Sequence, residues 1–465
     1  MQRIRTIRSV AAAVALAALA AGSGAAAAPS VVRVEGEPGA RTLVVNGAPF
    51  VIRGAAGGGS KEVLARLGAN SFRTWAADRA EEELDEARRN GLFVTVGHWL
   101  HPTSYFSYED EAQNAEQTEA ILRRVRELKD HPALLMWAIG NEMEAARPGN
   151  RALWTYLNDL AGRIKEIDPN HPVATALMEA SPEKVALLDE LCPNLDVVGF
   201  NSYAGAGGLG RRLREAGLRK PFVVTEYGPP LHGDHNRWWI GVTGFGAPQE
   251  LSSTQKAKWY VGPARTLLAE EKGRCLGLYA FTWGWKVEAT PTWFGLQLPD
   301  GTVTAQALEL AREVWGGDVR NRGPVLEPIS EIYEEKLAQA RRENRPAEAI
   351  AELADVWPVM RLSTETPAAG APVEAEVRAR DPDGDALEYL WELRREAATY
   401  GVEGVGLAMP RAFEGAIVAG QGTPRVRVVL PGGGVFRLFC YVFDKAPDGR
   451  RKSAATACRP LRGAE

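Results

Sequence analysis

The stretch ALLMWAIGNE, residues 133–142, decides the fold, because a run of apolar and small residues ends directly in Asn141 and Glu142. A second short run, Phe222–Thr225 (FVVT), ends in Glu226, which a tyrosine and a glycine follow. Short apolar runs bounded by glycine or proline are typical of buried β-strands. A carboxylate at the end of a buried strand costs free energy unless it is paired or used. The two glutamates are therefore candidate functional residues.

Strand-like and helix-like segments alternate from residue 48 to residue 315, which predicts a (β/α)8 TIM barrel. A doubly wound open sheet is the alternative, but it needs fewer strands and usually a phosphate-binding glycine loop. The glycines at Gly57–Gly59 lack the G-x-G-x-x-G spacing, so we interpret them as a flexible loop. The predicted strands are Phe50–Gly54, Asn70–Trp75, Leu92–His98, Leu134–Asn141, Val173–Met178, Val197–Asn201, Phe222–Glu226 and Leu276–Trp283.

The rest of the chain divides into three further regions. Residues 1–28 combine arginines, an apolar run of small residues and alanine-rich cleavage sites, which predicts a signal peptide and export to the periplasm or the extracellular space. The barrel would then occupy residues 29–318, and residues 319–358 would form a partly helical linker. Residues 359–465 alternate short strands with turn-rich stretches, which predicts a small C-terminal immunoglobulin-like β-sandwich.

The composition limits the possible partners. A hydrophobic content of 45% is enough for a large core. The formal net charge of −4 and the lack of a long basic stretch argue against nucleic acid. No apolar run is long enough to span a bilayer. No spacing of cysteine or histidine resembles a metal site, so we expect neither a metal nor a cofactor.

Two features of the C-terminal region leave questions open. Export permits disulfides, and Cys440–Cys458 is the better candidate pair of the chain's four cysteines, because both residues fall on predicted strands of one small domain. The segment Asp381–Asp385 (DPDGD) alternates aspartates that are able to bind calcium. We favour an Asp/Gly-rich turn between strands as the interpretation of this segment.

A barrel would bring the two glutamates together, because its active sites lie at the C-terminal ends of the strands. Glu142 ends the fourth predicted strand and Glu226 the seventh, so we expect their carboxylates to face each other at about 5 Å, the separation of a retaining glycosidase. Two close carboxylates do not both ionise easily. We therefore expect Glu226 to attack as the anion and Glu142 to act as general acid and then base. The alternative is that both residues are surface or salt-bridged glutamates without a function. That alternative does not explain why two glutamates occur together at the ends of these two strands.

These motifs resemble those of clan A retaining glycoside hydrolases, and the barrel most resembles that of glycoside hydrolase family 2. His131–Glu142 (HPALLMWAIGNE) is similar to the acid/base strand of that family, and Phe222–Gly228 (FVVTEYG) to its nucleophile strand. The barrels of families 5 and 72 are also similar. Family 2 enzymes usually carry β-sandwich domains ahead of the barrel, whereas only residues 29–48 lie between the predicted signal and the first strand here. We therefore do not assign the substrate of any named family 2 enzyme to this chain.

The resemblance implies roles for side chains at other strand ends. Arg73 would hold the nucleophile ionised, because a nearby arginine favours a charged carboxylate. Asn141 would contact the sugar 2-hydroxyl, and Tyr203 would orient the nucleophile. His98 would contact another hydroxyl of the sugar. Trp283 would form the floor under the sugar, since an aromatic face suits the apolar face of a pyranose.

The loops beyond the strands are rich in aromatic residues, which are able to stack on a chain of sugars. We assign Trp99, Trp238 and Trp285 to substrate binding. We therefore expect a secreted retaining β-glycoside hydrolase that cleaves a β-linked glucan or a related oligosaccharide or polysaccharide. A β-glucan transglycosylase with the same covalent intermediate is an alternative that the sequence does not separate. A non-catalytic carbohydrate-binding protein is the third possibility, and the intact set of site residues disfavours it.

Overall fold

The structure is a computed structural model that describes residues 28–230, 242–345, 358–397 and 408–464. Residues 1–27 of the predicted signal peptide and the predicted sugar platform Trp238 lie outside this range. In the described part of the chain, every helix is too short or too polar to cross a membrane.

A small antiparallel sheet, which is not among the predicted elements, precedes the barrel. Asn46 and Gly47 connect its last two strands with φ angles of 50° and 80°, the left-handed geometry of a tight hairpin turn. Its strands are β1 (Val32–Glu35), β2 (Thr42–Val45) and β3 (Ala48–Phe50).

Eight parallel strands close into a barrel in chain order, which confirms the predicted (β/α)8 TIM barrel. The first barrel strand starts later than expected because Phe50 belongs to the preceding hairpin. The barrel strands are β4 (Ile52–Ala56), β5 (Ser71–Arg73), β6 (Phe93–His98), β7 (Leu134–Asn141), β8 (Val173–Met178), β9 (Val197–Asn201), β10 (Phe222–Tyr227) and β11 (Cys275–Phe281).

Amphipathic helices surround the barrel strands. In the fourth helix, Leu153, Leu157 and Leu160 follow at three- and four-residue steps and are buried against the barrel. Ser252 begins the seventh helix with a capping box, in which its side chain and that of Gln255 each bond the other's backbone N–H. The helices are α1 (Lys61–Arg66), α2 (Ala80–Arg89), α3 (Glu111–Leu128), α4 (Arg151–Ile167), α5 (Pro182–Leu191), α6 (Leu209–Glu215), α7 (Ser253–Glu270) and α8 (Ala305–Leu310), which a π-helical turn at Ala311–Trp315 continues.

Ser30 fastens the segment before β1 to the N-terminal face of the barrel. Its hydroxyl lies 2.8 Å from the carbonyl oxygen of Leu134 and 3.0 Å from Nε2 of His171, whose Nδ1 lies 2.8 Å from Oδ2 of Asp168. The order of groups is that of a Ser-His-Asp triad. Ser30 is fully buried, and its hydroxyl also lies within hydrogen-bond distance of two backbone carbonyls, so the arrangement is a structural anchor.

Two antiparallel sheets pack face to face after the barrel, which confirms the predicted C-terminal β-sandwich. One sheet has the order β12-β14-β17-β16, with β13 also paired to β14, and the other has the order β15-β18-β19. Part of the expected linker belongs to this sandwich, because β12 pairs with β14 and buries Leu326 in the core. The elements are β12 (Val325–Glu327), α9 (Ser330–Arg342), β13 (Met360–Leu362), β14 (Pro372–Arg380), β15 (Ala386–Arg395), β16 (Ile417–Ala419), β17 (Arg425–Val429), β18 (Gly434–Lys445) and β19 (Arg451–Gly463).

The predicted Cys440–Cys458 disulfide is wrong, because all four cysteines are free, buried thiols. In the register of β18 and β19, Cys440 lies opposite Ala457, and Cys458 lies opposite Phe439. The two cysteines are thus offset by one residue, and their side chains point to opposite faces of the sheet. Cys440 lies in the sandwich core, whereas Cys458 lies on the face toward the barrel.

The aspartates of the Asp381–Asp385 segment lie in the turn between β14 and β15, with carboxylate oxygens within 4.8 Å of one another. Oδ1 of Asp381 accepts the backbone N–H groups of Asp383 and Asp385 at 2.8 and 2.9 Å. Asp383 also pairs with Arg322, and Asp385 with Lys452. These contacts support the interpretation as a turn.

Candidate active site

The backbone at the end of β7 is unusual and places Glu142 at the barrel mouth. Gly140 and Glu142 have φ angles of 78° and 52°, and the Glu142 N–H donates to the carbonyl of Ala176 at 2.8 Å. A Cβ at Gly140 would lie 2.1 Å from Sδ of Met143, and the left-handed φ angle favours glycine there. A left-handed glutamate costs on the order of 1 kcal/mol, and strain of this kind is concentrated at functional sites.

Glu226, in β10, is 5% exposed, and its carboxylate accepts hydrogen bonds from three side chains. Nη1 of Arg73 and Nε1 of Trp75 donate to Oε1 at 2.8 and 2.7 Å, and the hydroxyl of Tyr203 donates to Oε2 at 2.7 Å. An ionised carboxylate only accepts hydrogen bonds, and a guanidinium beside it stabilises its charge. The three donors thus hold the Glu226 carboxylate in one orientation.

Glu142 lies in a different environment. Burial, and next to it the charge of Glu226, raise the pKa of Glu142 to about 7, although Asn201 donates a hydrogen bond to its Oε1 at 2.8 Å. A carboxyl group with this pKa keeps its proton for much of the time near neutral pH. Two neighbouring carboxyl groups, one in surroundings that favour the protonated form and one in surroundings that favour the charged form, are typical of a general acid paired with a nucleophile. Their expected separation of about 5 Å stays a prediction.

A chain of hydrogen bonds connects the surroundings of the two glutamates. Nη2 of Arg73 donates to Oδ1 of Asn141 at 2.7 Å, and Nδ2 of Asn201 lies 3.2 Å from the same oxygen. The hydroxyl of Thr225 donates to Oδ1 of Asn201 at 2.7 Å. Because the amide oxygen of Asn201 is occupied in this way, its NH2 group faces Asn141 and Glu142.

Other predicted site residues differ in their accessibility. His98 is 3% exposed, and its ring lies 5.3 Å from that of Trp137. Burial lowers the pKa of His98 to about 3, so the imidazole is neutral at physiological pH. Its contact with a sugar hydroxyl stays a prediction. Trp99 and Trp285 are 40% and 44% exposed, so both rings are accessible to a ligand.

Trp283 does not form an exposed floor, contrary to the prediction. It is 1% exposed, its Nε1 donates to the carbonyl of Ser60 at 2.9 Å, and its ring packs on Trp315. The loop after β4 covers it, and a Cβ at Gly57 would lie 2.2 Å from the carbonyl oxygen of Trp283. A Cβ at Gly59 would lie 2.9 Å from the indole ring. The glycines that we interpreted as a flexible loop are needed for this close packing.

Three residues at the site were missed by the sequence analysis: Trp75, Asn201 and Phe281. The ring of Phe281 lies 5.9 Å from that of Trp75 and 5.8 Å from that of Tyr203, edge-on to both. Phe281 therefore packs beside the side chains that bind Glu226. All three missed residues lie at or just beyond the C-terminal ends of barrel strands, and this position is the signal that would have identified them.

Residues 60–235 match the family described as "Glycosyl hydrolases family 2, TIM barrel domain". The chain is 30% identical to a β-glucuronidase of Streptococcus agalactiae over 213 residues, which are 39% of this chain and 34% of that protein. It is 27% identical to the β-glucuronidase of Sus scrofa over 216 residues, which are 40% of this chain and 32% of that protein. The matched segment thus spans about a third of the length of these curated relatives.

Two solved structures match part of the chain. The β-D-glucuronidase of Dictyoglomus thermophilum superposes with a TM-score of 0.47 and 20% identity, over 62% of this chain and 53% of that chain. The β-glucuronidase of Bifidobacterium dentium, complexed with coumarin-3-O-glucuronide, gives a TM-score of 0.46 and 20% identity over 62% and 49% of the two chains.

The family match and the curated relatives agree with the motifs that end β7 and β10. They confirm the predicted resemblance, in that the chain carries a barrel similar to the TIM barrel domain of glycoside hydrolase family 2, within the clan A retaining glycoside hydrolases.

Proposed function

We propose that this protein is a retaining β-glycoside hydrolase that works by double displacement. The observation that carries the proposal is the contrast between the two glutamates at the barrel mouth. Glu226 accepts three hydrogen bonds, one of them from Arg73, whereas burial and the neighbouring charge raise the pKa of Glu142 to about 7. One group is thus prepared to attack and the other to donate a proton.

In the first step, an oxygen of the Glu226 carboxylate attacks the anomeric carbon and forms a glycosyl ester. The bond from that carbon to the departing oxygen breaks, and the proton of Glu142 moves to this oxygen. Arg73, Trp75 and Tyr203 fix the attacking carboxylate before the reaction, which lowers the entropic part of the barrier.

In the second step, the Glu142 carboxylate takes a proton from water as the water oxygen attacks the anomeric carbon. The ester bond to Glu226 breaks and its carboxylate is restored. Two inversions give net retention of configuration. A sugar hydroxyl that replaces water in this step would give the transglycosylase alternative, which product analysis with an added acceptor separates from hydrolysis.

For the substrate, we propose a β-linked glucan or a related oligosaccharide, and the accessible rings of Trp99 and Trp285 support it as stacking platforms. A β-glucuronide is the second candidate. The curated relatives carry the name β-glucuronidase, and Nζ of Lys286 lies 5.4 Å from the ring centre of Phe281, beside the site. Lys286 already pairs with Glu288 at 2.8 Å, so a uronate would compete with that partner.

We also propose that the protein is exported. The sequence of residues 1–28 supports this proposal, because it has the charge and hydropathy pattern of a signal peptide. Fractionation of a host that expresses the full-length chain, with N-terminal sequencing of the product, would test it. A product that stays in the cytoplasm with residue 1 still attached would refute the proposal.

The decisive experiment compares the wild type with Glu226→Gln on β-glucans, mannans and 4-nitrophenyl β-glucuronide. We expect the variant to lose turnover on whichever substrate the wild type cleaves. It should still fold, but with a lower unfolding midpoint, because the buried Arg73 loses its charged partner. Glu179→Gln is a matched control, because Glu179 also follows a barrel strand but pairs with Arg212. A 2-fluoro sugar should label Glu226 covalently. Unchanged turnover in Glu226→Gln would remove the proposed mechanism.

Lys286→Met separates the two substrate classes. If the substrate is a uronide, the loss of the ammonium group raises KM for 4-nitrophenyl β-glucuronide by about tenfold or more, since a charged hydrogen bond is worth about 1.5–3 kcal/mol. The same variant should leave hydrolysis of a neutral β-glucan nearly unchanged. An equal effect on both substrates would exclude Lys286 as a carboxylate ligand.

A further inference from the structure

The sheet β15-β18-β19 of the sandwich lies directly against the barrel. The hydroxyl groups of Ser253 and Thr456 are 2.8 Å apart, and the Thr456 N–H donates to the Ser253 oxygen at 2.9 Å. The Ala454 N–H donates to the carbonyl of Val303 at 3.0 Å, in the segment after β11. These contacts join β19 to the start of α7 and to the loop that follows the last barrel strand.

Glu250, just before α7, is the centre of a buried polar network at this boundary. Its side chain is 2% exposed, and its two oxygens accept hydrogen bonds from Lys256, Thr290 and Thr292 of the barrel. The thiol of Cys458, from β19, donates to Oε2 of Glu250 at 3.1 Å. Burial favours the neutral acid, but the charges of Lys256 and Arg437 outweigh it and lower the pKa of Glu250. The carboxylate is therefore charged.

Arg437, on β18, connects this network to the rest of the sandwich. It is 1% exposed and donates to both oxygens of Glu396, at 2.7 and 2.9 Å. The same guanidinium donates to the carbonyl of Pro248 in the barrel at 2.7 Å and lies 3.5 Å from Sγ of Cys458. A planar guanidinium with several fixed donors is suited to joining groups from two domains.

From Glu250, contacts lead to the catalytic centre through the loop after β11. Thr290 and Thr292 bind Glu250, and two residues further on the ring of Phe294 lies 5.2 Å from that of Tyr203. The hydroxyl of Tyr203 is in turn 2.7 Å from Glu226. The carbonyl of Thr292 also accepts from Nζ of Lys256, which fixes the loop backbone.

We propose that Glu250 and Arg437 are positioning residues, through which the sandwich holds the loop of residues 286–294 so that Tyr203 stays aligned on the nucleophile. This inference rests on the proposed function, because it assigns the sandwich a part in the reaction at that site. An accessory domain of this kind is able to bind polysaccharide, to act as a spacer or to brace the active site. We assign the third role to this sandwich.

The test is a double-mutant cycle with Arg437→Met and Tyr203→Phe. Arg437→Met should lower kcat by about tenfold, because a misplacement near 1 Å costs up to about 100-fold. KM should change much less. In the Tyr203→Phe background the same substitution should change kcat by less than about twofold, since residues that act through one another are not additive. Additive effects, or an unchanged kcat in Arg437→Met, would overturn the proposal.

Arg394→Met is the matched control, because Arg394 is an arginine of the same sheet whose bonds go to Glu392 and to the carbonyl of Pro410 within the sandwich. It should leave kcat and KM at the wild-type values. A loss of kcat in Arg394→Met as large as that in Arg437→Met would show a general effect of destabilising the sandwich, and would also overturn the proposal.

A second pair of variants covers the case in which Arg437→Met does not fold. Thr290→Val with Thr292→Val removes both hydroxyl donors to Glu250 and should lower kcat by about tenfold. The matched change of both threonines to serine keeps the hydroxyls and should restore kcat. Equal kcat values for the valine and serine variants would contradict the positioning role.

Hydrogen exchange tests the same proposal without a substrate. The amides of residues 286–294 should exchange faster in Arg437→Met, or in the valine variant, than in the wild type and in Arg394→Met. Unchanged exchange would overturn the bracing role even if the protein is an active glycosidase. Conversely, faster exchange in a protein with no glycosidase activity would support the bracing role of the sandwich and refute only the proposed function.

Discussion

Replacement of Glu142 by glutamine should stabilise the protein, and more so as the pH rises. Burial and the charge of Glu226 raise the pKa of Glu142 from 4.5 to about 7 in the folded state. The folded state therefore binds this proton more tightly than the unfolded chain does. The resulting stability is fully present below pH 4.5 and is lost as the pH rises through 7. Glutamine carries no charge at any pH and avoids this loss.

The size of the effect follows from the pKa displacement. Each pKa unit corresponds to about 1.4 kcal/mol, so the displacement of Glu142 gives at most about 3 kcal/mol above pH 8. For a chain of this length, that free energy corresponds to a rise of about 3 °C in the unfolding midpoint. At pH 4 the wild type and Glu142→Gln should unfold at the same temperature.

Differential scanning calorimetry of both proteins between pH 4 and pH 9 measures this difference. Glu144→Gln is a matched control, because Glu144 lies close by in the chain but pairs with Lys184 at 2.8 Å while fully buried. That substitution leaves a buried ammonium group without its partner and should destabilise the protein throughout this pH range. A difference between the wild type and Glu142→Gln that does not change with pH would refute the reasoning.

Four further results are expected. The kcat/KM for an unactivated glycoside should fall above pH 7 as Glu142 loses its proton, and an alkaline limb that persists in Glu142→Gln would contradict this assignment. Tyr203→Phe removes a hydrogen bond to Glu226, the proposed nucleophile, and should lower kcat by about 10- to 100-fold with little change in the unfolding midpoint. Trp283→Ala should destabilise the fold by about 3–5 kcal/mol in denaturant unfolding, and a large rise in KM with normal stability would instead restore its role as a sugar platform. A reducing agent should leave the unfolding midpoint unchanged, whereas a drop would indicate a bond between Cys440 and Cys458.

The barrel was predictable because parallel strands that are buried on both faces consist of continuous apolar runs. Leu134–Asn141 shows this pattern, and its bounds in the structure are those that the sequence predicts. The hairpin before the barrel was missed although its signal, Asn46-Gly47 between short apolar stretches, was present. A three-residue strand such as β3 has too few side chains for its alternation to be read with certainty.

The core of the candidate site was also predictable, since chain order and barrel geometry bring strand ends to one mouth. Arg73, Asn141 and Tyr203 lie with the two glutamates for this reason. Trp75 and Asn201 also lie at or just beyond strand ends and bind the two glutamates. They were missed because a position near the end of a strand does not show which atoms will form hydrogen bonds.

Two errors have a common physical cause, which is packing between distant parts of the chain. Gly57 and the loop that contains it cover Trp283, and a contact between these positions leaves no periodic signal in the sequence. The pairing of Cys440 with Cys458 failed by a single residue of register between β18 and β19. Register depends on the facing strand, so composition alone does not determine it.

The buried position of Ser30 limits how the protein can be engineered at its N-terminal side. Ala28 and Pro29 are exposed, whereas Ser30 bonds to the carbonyl groups of His131 and Leu134. We therefore expect an affinity tag or a protease scar to be tolerated ahead of residue 28. A truncation that removes Ser30 would take away the donor next to the buried carbonyl of Leu134 and loosen the N-terminal face of the barrel.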